Sequence, residues 1–126
     1  MSSIHKFNGE GNHFQWEGVP VRDYGASGFE GVVRHVLIGE DDGAPNFIIR
    51  YFQVAPGKST RLEQHPHEHG VVILQGRARV QINDEFFEVG EKDAVFISGN
   101  DLHQLTALGD EPMGFICVIQ RKDKVK

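Results

Sequence analysis

Along most of the chain, apolar and polar residues alternate in short runs and do not recur every three to four positions. The clearest run is Arg77-Ala78-Arg79-Val80-Gln81-Ile82, where every second side chain is apolar. A period of two places successive side chains on opposite faces of a β-strand. Comparable runs, rich in β-branched and aromatic residues, are Val32–Ile38, Asn46–Val54, Gly70–Leu74, Phe86–Val89, Ala94–Ile97, Leu102–Ala107 and Met113–Gln120. Turn-forming clusters separate them, among them Asp41-Asp42-Gly43-Ala44-Pro45, Pro56-Gly57, Gln75-Gly76, Asn83-Asp84, Ser98-Gly99-Asn100 and Gly109-Asp110. About eight short strands with turns between them predict an all-β sandwich or barrel. A jelly-roll barrel has this strand count and curls two sheets against each other.

Residues 1–30 follow another pattern. Gly9, Gly11, Gly18, Gly25 and Gly28 interrupt the apolar anchors Phe7, Phe14, Trp16, Val19 and Val21. This predicts an irregular N-terminal arm with one or two short strands, ahead of a barrel over 31–126. Packing of Phe14 and Trp16 would bury considerable area, against the chain's own barrel or against a second subunit. The former is preferred.

Composition narrows the class. With 126 residues, 39% of them apolar and 25% charged, the chain is expected to form one globular domain with a core of its own. The start MSSIHKFNGE has no basic-then-apolar leader pattern, and no run is long enough for a membrane span, so a cytoplasmic protein without membrane partners is expected. The single cysteine, Cys117, sits in the apolar run Phe115-Ile116-Cys117-Val118-Ile119 and excludes an internal disulfide. Net charge is −5, and basic residues gather only in the tail Arg121–Lys126, so no nucleic-acid-binding face is expected. Apolar residues on both faces of Asn46–Val54 and Met113–Gln120 exceed what one interior needs, which suggests a homodimer packed sheet on sheet.

The candidate chemistry lies in Glu63-Gln64-His65-Pro66-His67-Glu68-His69 and in His103. Neutral imidazole is the commonest protein metal ligand, and three histidines at alternate positions point to a metal site. Pro66 rules out a helical H-E-x-x-H arrangement, and one cysteine rules out a zinc finger. In a strand, positions 65 and 69 would stand about 13 Å apart, too far to share one ion. The chain must therefore bend, and Pro66 is placed to start the bend. Glu63 and His65 would then precede the turn, His69 would begin the next strand, and His67 would ride at the apex or pocket mouth. The competing set is His65, His67 and His69. A barrel would bring His103, one hairpin and another turn later, opposite the cluster.

These residues resemble a known family. Pro56-Gly57, then Glu63-x-His65-x-His67-x-His69, then Val71-Val72-Ile73-Leu74-Gln75-Gly76 is similar to the first motif of the cupin superfamily. Lys92-Asp93-Ala94-Val95-Phe96-Ile97 followed by His103-Gln104 resembles the second, and Gly114–Ile119 resembles the last strand of small single-domain cupins. The resemblance covers about 32–120 and implies a double-stranded β-helix. Counting back from Gly76, it aligns Glu63 and His65 with the family's two histidines and His69 with its usual glutamate. The implied ligands are Glu63, His65, His69 and His103. Ser98-Gly99 stands where the family commonly has a proline before the last ligand.

Three imidazoles and one carboxylate suit one divalent transition metal, Fe, Mn, Ni, Cu, Co or Zn, better than Ca or Mg. Such a site permits dioxygenase chemistry on a small organic molecule, or Lewis-acid activation of a carbonyl as in an isomerase. A regulatory or ligand-binding cupin with a structural metal is the alternative. Similar cupins turn Phe115, Cys117 and Ile119 inward, and Arg50, Gln53 and Gln104 are candidates for polar contacts to a substrate.

Overall fold

In the computed structural model, residues 2–24 and 29–121 are described. Gly25 and Gly28 of the arm, and the charged tail beyond Arg121, lie outside them. Among the described residues nine strands form: β1 (Val21–Asp23), β2 (Val32–Ile38), β3 (Phe47–Val54), β4 (His69–Gln75), β5 (Arg77–Ile82), β6 (Glu85–Val89), β7 (Ala94–Ile97), β8 (His103–Leu108) and β9 (Met113–Gln120). The period-two runs of the sequence fall on these strands to within a residue or so at each end. The three-residue β1 is too short and too exposed to leave a pattern. No helix among the described residues is long and apolar enough to cross a membrane.

Two antiparallel sheets make a jelly-roll barrel. One has six strands in the order β1-β2-β3-β9-β4-β7, and the other has three in the order β6-β5-β8. Directly paired residues share a face, so register defines the interior. Across the large sheet one inward row is Val36–Arg50–Cys117–Val71–Val95, and the next is Arg22–Arg34–Phe52–Phe115–Ile73. The small sheet answers with Ala78–Ala107 and Val80–Leu105. Val54, Ile73, Ala78 and Met113 are wholly shielded from solvent at the packed end of this core.

The arm folds back over the outer face of the large sheet. Phe7 pairs with Trp16 and Glu10 with His13, closing a small hairpin. Its Phe14 stacks on Tyr51 with ring centroids 5.1 Å apart, and Trp16 meets both Tyr51 and His35. Tyr51 and His35 are consequently buried on the face opposite the barrel interior. At the arm's start, Asp42 accepts hydrogen bonds from Ser3 Oγ at 2.7 Å and His5 Nε2 at 2.6 Å.

Candidate metal centre and cavity

The bend at Pro66 brings the histidines together. His65 Nδ1 donates to the His67 carbonyl oxygen at 2.9 Å, folding the segment into a tight turn. The His65 carbonyl in turn accepts the Asn100 N–H at 2.7 Å, tying this turn to the one between β7 and β8. Gly99 makes that approach possible: a Cβ there would run into the Pro66 carbonyl oxygen. The glycine in place of the commoner proline is therefore a packing requirement of this turn.

One potential ligand atom from each of His65, His69 and His103 falls within 4.8 Å of the others. His65 Nε2 and His69 Nε2 are 3.1 Å apart. Two nitrogens about 2.1 Å from one ion and at right angles would stand about 3.0 Å apart, so the pair is spaced for a shared metal. The other ring nitrogens are engaged. His103 Nδ1 donates to the Asp101 carbonyl at 2.9 Å, and His69 Nδ1 lies 2.9 Å from Cys117 Sγ. Such outer contacts set the tautomer and aim Nε2 at the centre. Burial, with the neighbouring His103 and Arg50, pushes the His69 pKa down to about 3, so its ring is neutral and its lone pair available at physiological pH.

Glu63 and His67 stand beside this group and outside it. Glu63 pairs with His103 across the strap that precedes the turn, and both line the same cavity. The His67 ring lies flat on His65, centroids 3.6 Å apart and planes 6° from parallel.

The histidines open onto a cavity of about 940 Å³ within the barrel. Arg50, Phe115, Cys117 and Ile119 line it. Burial raises the Cys117 pKa, partly opposed by Arg50, whose Nη2 lies 3.4 Å from the sulfur. Gln53 and Gln104 are not part of the wall, which corrects the expectation from sequence. Gln53 lies on the outer face of β3, where its amide donates to the Asn12 carbonyl at 2.7 Å. Gln104 follows His103 and so points out of the barrel, donating to the Thr60 carbonyl at 2.9 Å. Strand alternation puts Gln53, three residues from Arg50, and Gln104, one from His103, on the opposite face. Tyr24, Arg34 and Arg61 also line the cavity, which the sequence expectation does not include. Arg34 shares its strand parity with Val32 and Val36, which was the available signal.

Residues 50–119 match the cupin domain family. The chain is also 36% identical over 117 residues to 1-methylthio-D-xylulose 5-phosphate methylsulfurylase of Rhodospirillum rubrum, covering 90% of this chain and 74% of that protein. This protein belongs to the cupin family, in its single-barrel cupin-2 form. Among solved structures it is similar to a cupin-2 domain from Rhodospirillum rubrum (35% identity, TM-score 0.80, covering 92% of this chain and 78% of that one). It is also similar to the polyketide cyclase RemF from Streptomyces resistomycificus (27% identity, TM-score 0.72, covering 82% and 74%).

Proposed function

We propose that this cupin is a metal-dependent enzyme acting on a small, carbonyl-bearing, phosphorylated molecule held inside the barrel. The observation that carries the reading is the spacing of His65, His69 and His103 at one end of a cavity large enough for such a substrate. Those three would hold the ion, with Glu63 as the nearest additional donor. A divalent transition metal bound there supplies Lewis-acid polarisation of a carbonyl or hydroxyl oxygen. Cys117 orients His69, Asp101 orients His103, and Phe115 and Ile119 keep the reacting end of the cavity dry. The methylsulfurylase relative supports a phosphorylated sugar-like substrate, and the cyclase supports carbonyl chemistry on this barrel.

Dioxygenase chemistry is the second reading, favoured by a nitrogen-rich ligand set facing apolar walls. We further infer a homodimer that covers the outer patch of Val72, Leu74, Phe96 and Val118, all exposed on the large sheet.

The test loads purified protein with Mn, Fe, Co, Ni, Cu or Zn and measures bound metal. It then follows 1-methylthio-D-xylulose 5-phosphate by phosphorus and proton NMR, and oxygen uptake with diketones, phenols and thiols. About one ion per chain, with turnover that chelation abolishes, is the expected result. Metal content no higher than a trace per chain overturns the reading.

A further inference from the structure

Arg50 lies on the inner face of β3 and is only 8% exposed. Its Nε has no hydrogen-bond partner, and the same is true of Arg34 Nε on the neighbouring strand. Buried charge is costly unless it is paired, and buried donors are nearly always satisfied. Among the described residues, neither guanidinium has a carboxylate partner. Asp42, at the cavity rim, is already engaged by Ser3, His5 and the Gly39 N–H. Two cations on one wall, each with an unsatisfied Nε and neither with a carboxylate, therefore lack an anion.

Their placement is suited to share one. Arg34 pairs with Phe52 and Val36 with Arg50, so the two arginines are diagonal neighbours on the inward face. Diagonal Cβ atoms lie roughly 7–8 Å apart, within reach of two long side chains converging on one group. Aromatic rings fix both heads: Arg50 lies 4.8 Å over Phe52, and Arg34 lies 4.8 Å over Tyr24. Arg61 approaches the same Tyr24 ring at 5.8 Å. In a chain of net charge −5, this wall is locally cationic. Only Cys117 separates Arg50 from His69, so one molecule of a few carbons could touch both the guanidiniums and the histidines.

We propose that Arg50 and Arg34 form an oxyanion subsite that takes the phosphate of a phosphorylated substrate whose other end reaches the histidine cluster. The proposal deepens the functional reading above and rests on the same cavity. Guanidinium offers the planar paired donors that phosphate oxygens accept, and two of them balance a phosphate dianion.

The test titrates D-xylulose 5-phosphate, D-xylulose and D-xylonate into the metal-loaded and the chelator-treated wild-type chain by calorimetry. The phosphate ester should bind at least tenfold more tightly than the free sugar in both forms. Arg34→Met and Arg50→Met should each remove at least tenfold of that advantage, and Arg34→Met should leave D-xylulose within twofold. Because Arg50 is buried, a second measurement reads the response of the wild-type protein, with variants serving for assignment alone. The Nε–H signals of Arg34 and Arg50, assigned with Arg34→Lys and Arg50→Lys, should shift as inorganic phosphate is added. Equal binding of ester and sugar, D-xylonate binding as tightly as the ester, or unmoved Nε–H signals would each overturn the proposal. If the subsite binds phosphate but no metal-dependent turnover is found, the functional reading fails and the subsite stands.

Discussion

Glu63 and His103 exchange both backbone hydrogen bonds across the barrel mouth, each N–H donating to the other's carbonyl oxygen at 3.0 and 2.9 Å. Residues so paired in antiparallel chains project to the same side, which turns the Glu63 carboxylate toward the histidine end of the cavity. His65→Ala, His69→Ala and His103→Ala should each lower metal affinity by more than the roughly 10–100-fold that loss of an outer-shell partner costs. Glu63→Gln keeps the backbone pair and should lower it at least tenfold if the carboxylate binds the ion. Calorimetric metal titration of the four variants gives the comparison.

Cys117 is the outer contact of His69. With its pKa raised by burial, it is a neutral thiol at pH 7. Cys117→Ala should release the His69 ring and weaken metal binding about tenfold, and Cys117→Ser should recover part of the loss. Alkylation of the native thiol should be slow at pH 7–8, as read by mass spectrometry.

Gly99 is packed against the Pro66 carbonyl. Gly99→Ala should push the two turns apart and cost about 1–3 kcal/mol, the usual penalty of overpacking. Urea denaturation would measure it. The same variant should lose metal affinity, because His65 is held through this contact.

His5 donates from both ring nitrogens, to Asp42 and to the Glu17 carbonyl, and its pKa is raised above 6.5, chiefly by the Asp42 hydrogen bond. Its contribution is complete below about pH 6.5 and is lost as pH rises through the raised value. Asp42 is held down to about 2, first by Ser3, then by His5 and the Gly39 amide. Its contribution is present above the ordinary 3.8 and is lost as pH falls toward 2. The clasp on the arm should thus be tightest between about pH 4 and 6.5. Hydrogen-exchange protection over residues 6–17 should peak in that window, and His5→Gln should flatten its upper limb.

Phe96 is 64% exposed on the outer face of β7. Phe96→Asp should leave the fold intact and convert a dimer to monomers, a change that sedimentation equilibrium would show. A wild-type chain that sediments as a monomer sinks the dimer assignment.

Much of the barrel was legible because strand alternation is written directly into runs such as 77–82. The bend at Pro66 followed from distance alone, since His65 and His69 cannot share an ion across an extended segment. Side-chain facing is less legible. The amides of Gln53 and Gln104 suit substrate contacts, but their parity relative to Arg50 and His103 turns them outward. Arg34 is not legible because an arginine inside a strand resembles the polar half of an alternating pattern, and Tyr24 is not because it follows the short β1 and lies in no alternating run. The contact of Trp16 with His35 depends on how the arm folds back, which no local period encodes.

The three histidines have separate origins: His69 opens a strand of the large sheet, His103 opens one of the small sheet, and His65 sits on the strap that precedes β4 and bridges to β8. An ion held by all three would act as a rivet through the barrel mouth, joining His103 to a segment that the unfolded chain leaves far from it. Because only the folded chain offers that seat, ion at a hundred times its dissociation constant would add about 2.7 kcal/mol of stability. Metal supply would then govern how long each molecule survives as well as how fast it works, and a starved cell would lose the protein along with its activity.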